Sequence, residues 1–148
     1  MKMIRNMALA ILLLAAAPLT IQAQNAQQNI QKNFKVPHAY MFGFAASFND
    51  SLIFFTDIQQ VDSVWLTKKK GFLAGKSNYA YQLRNYCEEK MELPKRTCVI
   101  VSSVKRKDVE KKYKKMMKKY VGKKAKNYDV RYISSSDFKF HAVDMSTE

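Results

Sequence analysis

Several groups of residues in this chain have types and spacings that invite a chemical reading. Gly71-Phe-Leu-Ala-Gly75-Lys76-Ser77 approaches a phosphate-binding loop, in which four residues separate the glycines ahead of Lys-Ser/Thr. Here three do. Such a loop wraps phosphates with successive backbone N–H groups, so one missing residue changes its curvature. The string reads instead as a loop ending at a helix capped by Ser77. His38 and His141 are the two histidines. His141 with Ser134, Ser135, Ser136 and Asp137 supplies the residue types of a nucleophilic hydrolase. A triad is defined by geometry rather than by nearness in sequence, however, and the chain has no Gly-x-Ser-x-Gly elbow. Glu88, Glu89 and Glu92 cluster near the end of a predicted helix. Glycoside hydrolysis needs two acids across a cleft, and acids this close on one helix turn read as a solvated face. No catalytic residue is assigned.

Cys87 and Cys98 are the only cysteines, with ten residues between them. With two histidines near the ends of the domain, they do not make a four-ligand zinc site. A Cys87 nucleophile needs an activating base, and none stands nearby in sequence. Two readings stay open. A disulfide is permitted in an oxidising compartment, and a free buried thiol packs as a small hydrophobe. No metal and no cofactor are expected.

Positive charge is the feature that departs most from an ordinary domain. The chain has 26 Lys+Arg against 12 Asp+Glu. Between Lys105 and Lys126 stand 12 basic residues opposed only by Asp108 and Glu110, a net +10. At helical spacing Val109, Tyr113, Met116, Met117 and Tyr120 form one apolar stripe. Lys111, Lys114, Lys115 and Lys118 centre on the opposite side, and Lys112 and Lys119 flank one edge. Like charges at i, i+4 oppose the helix by a few tenths of a kcal/mol per pair. These six lysines are the candidate anion-binding residues, and a solvated lysine face is the other reading. Lysine binds phosphate as a point charge without bidentate specificity. Tyr113 and Tyr120 fall on the buried stripe, so no stacking platform for bases is evident and sequence-specific nucleic-acid binding is not expected.

The elements that must position these residues follow an N-terminal leader. Lys2 and Arg5 precede an uncharged run of 13 residues, Met7 to Leu19, and Ala23 ends a small-residue exit. This is the pattern of a signal peptide over 1–23, too short to span a bilayer, which takes about 20 residues. The chain is therefore expected to be exported, periplasmic or extracellular, with no transmembrane segment after cleavage. Two of the basic residues lie in the leader, so the remaining ~125 residues carry +12. That length makes one domain. Residues 24–35, rich in Gln and Asn, read as a flexible lead-in, and 36–148 as the folded unit.

Within that unit, Tyr40, Phe42, Phe44, Ala46 and Phe48 alternate with Met41, Gly43, Ala45 and Ser47. This predicts a strand over 39–48 with a bulky face and a small face. Small residues let another element approach the backbone closely. Asn49-Asp50 turns the chain into a second strand over 51–56, which continues irregularly through Ile58, Val61 and Trp65. A basic loop, 67–76, leads to a helix from about Asn78, with Tyr79, Leu83, Tyr86, Cys87 and Met91 on one side. Pro94 ends it. Cys98-Val-Ile-Val101 is a continuous apolar run, expected in a strand buried on both faces. The lysine helix over 105–121 follows, ended by Gly122, then a last strand over 128–133. Residues 134–148 read as loop and tail, with Phe138 and Phe140 able to alternate in a short extra strand. The order is strand-strand-helix-strand-helix-strand: an α+β fold with a mixed four-stranded sheet covered by two helices. Each helix is expected to join parallel neighbours.

Phe42-Gly-Phe-Ala-Ala-Ser-Phe-Asn-Asp-Ser51, Asn78-Tyr-Ala-Tyr-Gln-Leu-Arg-Asn-Tyr86 and Pro94-Lys-Arg-Thr-Cys98 together resemble the small exported proteins of unknown function found in Bacteroidetes. The resemblance covers most of the chain behind the leader and implies no activity and no site residues. The expected role is that of a non-catalytic binding or envelope-associated protein. It would engage an anionic envelope surface or an acidic protein partner through the lysine helix. Two alternatives stand beside it. One is a small secreted hydrolase with its site in the C-terminal loops. The other is a structural or assembly partner, which would leave an open sheet edge or a large apolar patch.

Overall fold

A computed structural model of the chain describes residues 33–123 and 127–147. The leader over 1–23 and the lead-in up to residue 32 lie outside the described residues. The fold is α+β, a mixed five-stranded sheet with two helices. Its strands are β1 (Phe34–Ala46), β2 (Leu52–Thr56), β3 (Gln59–Leu66), β4 (Thr97–Ser103) and β5 (Asp129–Ile133). The helices are α1 (Lys76–Glu89) and α2 (Arg106–Val121). Phe34 and Lys35, expected in the lead-in, are paired with Leu66 and Trp65.

β1 is the spine. β4 runs antiparallel along one edge, from Tyr40↔Ser103 to Ala46↔Thr97. β2 and β3 follow one another along the opposite edge, both antiparallel. They are the expected second strand and its irregular continuation, divided by one extra residue. Between the pairs Phe44↔Phe55 and Met41↔Gln59, two β1 residues face three residues, Thr56, Asp57 and Ile58. That is a β-bulge. Thr56 Oγ1 takes the Gly43 N–H at 2.8 Å, so the side chain satisfies the buried donor at the break. β5 adds to β2 in parallel.

The helices connect parallel strands that are not neighbours, contrary to expectation. α1 carries the chain from β3 across β1 to β4, and α2 carries it back across β1 and β2 to β5. Crossovers of this kind take one hand. Two that run in opposite directions therefore place their helices on opposite faces, and the core divides accordingly. On the small face of β1, Ala39, Met41 and Ala45 pack with Tyr79, Leu83 and Cys87 of α1. On the bulky face, Phe42 and Phe44 pack with Ile53, Phe55 and the α2 stripe Val109, Tyr113, Met116, Met117 and Tyr120. Tyr113 meets Phe42 edge-on, with ring centroids 4.9 Å apart.

Two local expectations, the start of α1 and the two-faced burial of β4, are corrected, and the readings of 71–77 and 134–148 as loops gain their contacts. α1 begins at Lys76 behind Gly75, not at Asn78 behind Ser77, because Gly75 takes a left-handed turn (φ 66°) that starts the helix earlier. The Gly71–Ser77 string makes no open phosphate cradle: Leu73 and Ala74 are buried, and the Ala74 N–H donates to Trp65 O at 2.9 Å. β4 is an edge strand rather than one buried on both faces. Cys98 and Ile100 point into the α1 layer, but on the other side only Val101 packs in the α2 layer and Val99 is 40% exposed. Residues 138 and 140 form no strand, yet Phe138, Phe140 and Met145 are buried. The Gln59 side chain donates to Phe138 O at 2.9 Å and accepts the Phe140 N–H at 3.0 Å. Gln82 does the same for the two main-chain groups of His141. Two side-chain amides thus take the place of a neighbouring strand.

Arg96, immediately before β4, is only 3% exposed. Its guanidinium ion-pairs with Asp50 at 2.6 Å, donates to Leu52 O at 2.8 Å and lies over the Phe54 ring. It ties the entry of β4 to the β1–β2 turn.

Candidate functional site

α2 is the element that organises the positive charge. The Ser103 hydroxyl accepts the Lys105 N–H at 3.2 Å just ahead of the helix. Asp108 sits in the first turn and Lys118 and Lys119 in the last, so charged residues at both ends complement the helix dipole. Arg106 and Glu110 pair along the helix at 2.9 Å. Beyond that first stretch the helix carries no acid. Its apolar stripe is clamped on the aromatic face of the sheet, which fixes the rotation of the helix about its own axis.

Lys111, Lys112, Lys114, Lys115, Lys118 and Lys119 are all exposed, and none enters an ion pair among the described residues. Lys111, Lys114, Lys115 and Lys118 follow one another at helical spacing along the solvent side. Lys112, at the edge of the helix, also borders a groove beside β4. The arrangement can attract phosphate, sulfate or carboxylate groups as a row of point charges, without the planar geometry that makes arginine selective. Tyr113 anchors the row from below. Burial, with the nearby Tyr132 and Asp57 charges, pushes its phenol above the ordinary range. One signal was missed in sequence. Tyr128 and Tyr132 are exposed, and Tyr128 meets Tyr120 of α2 edge-on at 5.2 Å.

The residues of the hydrolase alternative are held in other ways. The hydroxyls of Ser134 and Ser136 bond one another at 2.8 Å, and Asp57 takes the Ser135 N–H at 2.8 Å. His141 is tied through its main chain to Gln82 on α1. The His38 ring meets Tyr40 edge-on at 5.5 Å. No imidazole bonds a hydroxyl or carboxylate among the described residues. Glu88, Glu89 and Glu92 are exposed, as expected of a solvated face.

Cys87 on α1 and Cys98 on β4 are free thiols, both buried in the same core layer. The two thiols lie close enough in that layer to shift each other's ionisation. The neighbouring Cys98 favours a thiolate at Cys87, drawing it below the ordinary thiol range against the opposing effect of burial, while Cys87 and burial push Cys98 well up. Among the described residues no group of three or more His, Cys, Asp or Glu is placed to hold a metal ion. No described helix is long and apolar enough to cross a membrane.

Comparison of the chain with protein-family models, with curated proteins and with solved structures returned no match.

Proposed function

We propose that this is an exported, non-catalytic binding protein that engages an anionic surface through the lysine face of α2. One observation carries the reading. Six lysines stand exposed and, among the described residues, free of ion pairs on a helix whose other side packs on the sheet. Such a face holds its charge in one orientation, and each lysine near an anionic membrane surface contributes about 1 kcal/mol. Anionic headgroups of an envelope, or the acidic surface of a partner protein, have the chemistry to meet it.

The test is binding to vesicles of phosphatidylglycerol and phosphatidylcholine across a salt series, with duplex DNA as a second polyanion. A variant with Lys111, Lys114, Lys115 and Lys118 changed to Glu is run beside it. The reading expects affinity to fall steeply with salt. On DNA, neutralising about six phosphates gives a slope near ~−5. The variant should bind vesicles at least ~1,000-fold more weakly. Weak binding that the variant leaves unchanged would overturn the reading.

A second reading, an assembly partner, is favoured by a separate observation. β4 is hydrogen-bonded to β1 on one edge only among the described residues, and it exposes Val99. An open, apolar sheet edge is the feature expected of that class.

A further inference from the structure

A groove of about 950 Å³ runs beside β4, between that strand and the loop that leads from β3 into α1. Six consecutive residues, Val99 to Val104, border it. Val99 to Ser103 belong to β4, and neighbouring side chains of a strand point to opposite faces, so a cavity that meets all five wraps the strand's edge, while Ala39 of β1 and Leu66 of β3 border it on one face. β4 pairs with β1 on its other side. Its outward N–H and C=O groups therefore form part of the groove floor. The walls are apolar where they are most exposed: Val99, Val104 and Phe72, the last 63% exposed. The basic residues at the margin are Lys70, Lys76 and Lys112, and among the described residues no acid borders the groove.

We infer that this groove binds an extended acidic peptide segment of another protein, added to the sheet as a strand alongside β4. Three physical arguments choose this occupant. A hydrocarbon chain laid over a strand edge would bury backbone donors and acceptors without partners. A peptide strand satisfies them, and it sets alternate side chains against Val99 and Phe72. Three lysines with no acid among the lining residues call for carboxylates on the incoming segment. A second copy of this chain fits poorly, because antiparallel pairing of two β4 edges would bring both sets of lysines together. The chain's own residues 24–32 carry Lys32 and no acid. Five strand residues span ~17 Å, so the recognised segment, with Val104 beyond the strand, is about five to seven residues long. The site does not rest on the lysine face of α2, with which it shares only Lys112.

The test uses the ¹⁵N-labelled chain and an acetylated, amidated heptapeptide of alternating glutamate and valine. Amide shifts are expected at residues 99–104 and 70–76. The same peptide with lysine for glutamate should produce none. Two N-methylated versions, blocking the N–H groups of one peptide edge or the other, should separate: one loses binding and one keeps it. Lys70→Glu with Lys76→Glu, both at exposed positions, should weaken binding by about tenfold. The four-lysine α2 variant should bind the peptide within about threefold of the unmodified chain, which keeps this site distinct from the vesicle-binding face. The inference is overturned if millimolar peptide leaves the β4 amides unmoved, or if both N-methylated peptides bind alike. It is also overturned if sedimentation shows the free chain dimerising through β4.

Discussion

Leu83 of α1 presses so closely on Gly43 of β1 that a methyl group on that glycine would stand 2.5 Å from Leu83 Cδ2. Phe140 and Thr56 crowd the same point at 3.2 and 3.3 Å. Contact this tight is the reason for the small face of β1. Gly43→Ala is expected to destabilise the fold by about 1–3 kcal/mol through overpacking. Leu83→Ala should lose about 2–5 kcal/mol through a cavity. The two clash and cavity effects occupy the same space, so the double variant should be less destabilised than the sum. Urea denaturation of the four proteins checks this. Strict additivity would show that α1 does not bear on Gly43.

The paired thiols make a second prediction. Diamide, a two-electron oxidant, should take the two thiol hydrogens of Cys87 and Cys98 and leave an S–S bond. One thiolate adds to the oxidant, and the other thiol then attacks that sulfur, releasing the reduced oxidant and closing the bond. Closing a loop of about 12 residues constrains the unfolded chain by about 3 kcal/mol, so the oxidised protein should unfold at higher urea than the reduced one. A thiol count on the denatured protein, before and after treatment, reads the reaction. Two thiols retained after prolonged exposure would mean that the helix and strand hold the sulfurs apart.

Alkaline pH supplies a third. Burial raises the Tyr113 phenol above its ordinary value of about 10. The unfolded chain therefore releases this proton first, and the contribution is fully present below about pH 10 and lost as pH rises through the folded value. The comparison is with Tyr113→Phe, which isolates the contribution of this phenol. The stability of the unmodified chain relative to that variant should hold level up to about pH 10 and decline above it. Urea midpoints at pH ~8 to ~11 measure this, and a difference that stays constant would place the phenol in water.

Much of this architecture was legible in the sequence where a pattern is local. The alternation from Tyr40 to Ala46 separates the two core layers residue by residue. The stripes Tyr79–Leu83–Cys87 and Val109–Tyr113–Tyr120 mark the buried sides of the helices. The exposure of the six lysines follows from the second stripe. What was not legible depends on partners distant in the chain. Arg96 is buried because Asp50 and Leu52, more than forty residues earlier, receive its donors. Phe138 and Phe140 are held by Gln59, about eighty residues before them. Cys98-Val-Ile-Val101 reads as a central strand, but strand order comes from the crossovers, and these leave β4 at the edge. The groove beside it could not be read from any segment alone.

The extra residue between β2 and β3 also guards against misfolding. A hairpin as long as that of β1 with β2 and β3 can slide, and a slip by one residue exchanges its two faces. Here the exchange would turn Phe42 and Phe44 toward α1, where Leu83 has room only for glycine and other small residues. Because one half of the hairpin is offset from the other by a single residue, no uniform slide keeps both halves paired and also keeps Thr56 Oγ1 on the Gly43 amide. The bulge works as a notch in a ruler. A hairpin in the slipped register has aromatic rings on the wrong side and a buried donor unmet, and both destabilise it against the native pairing.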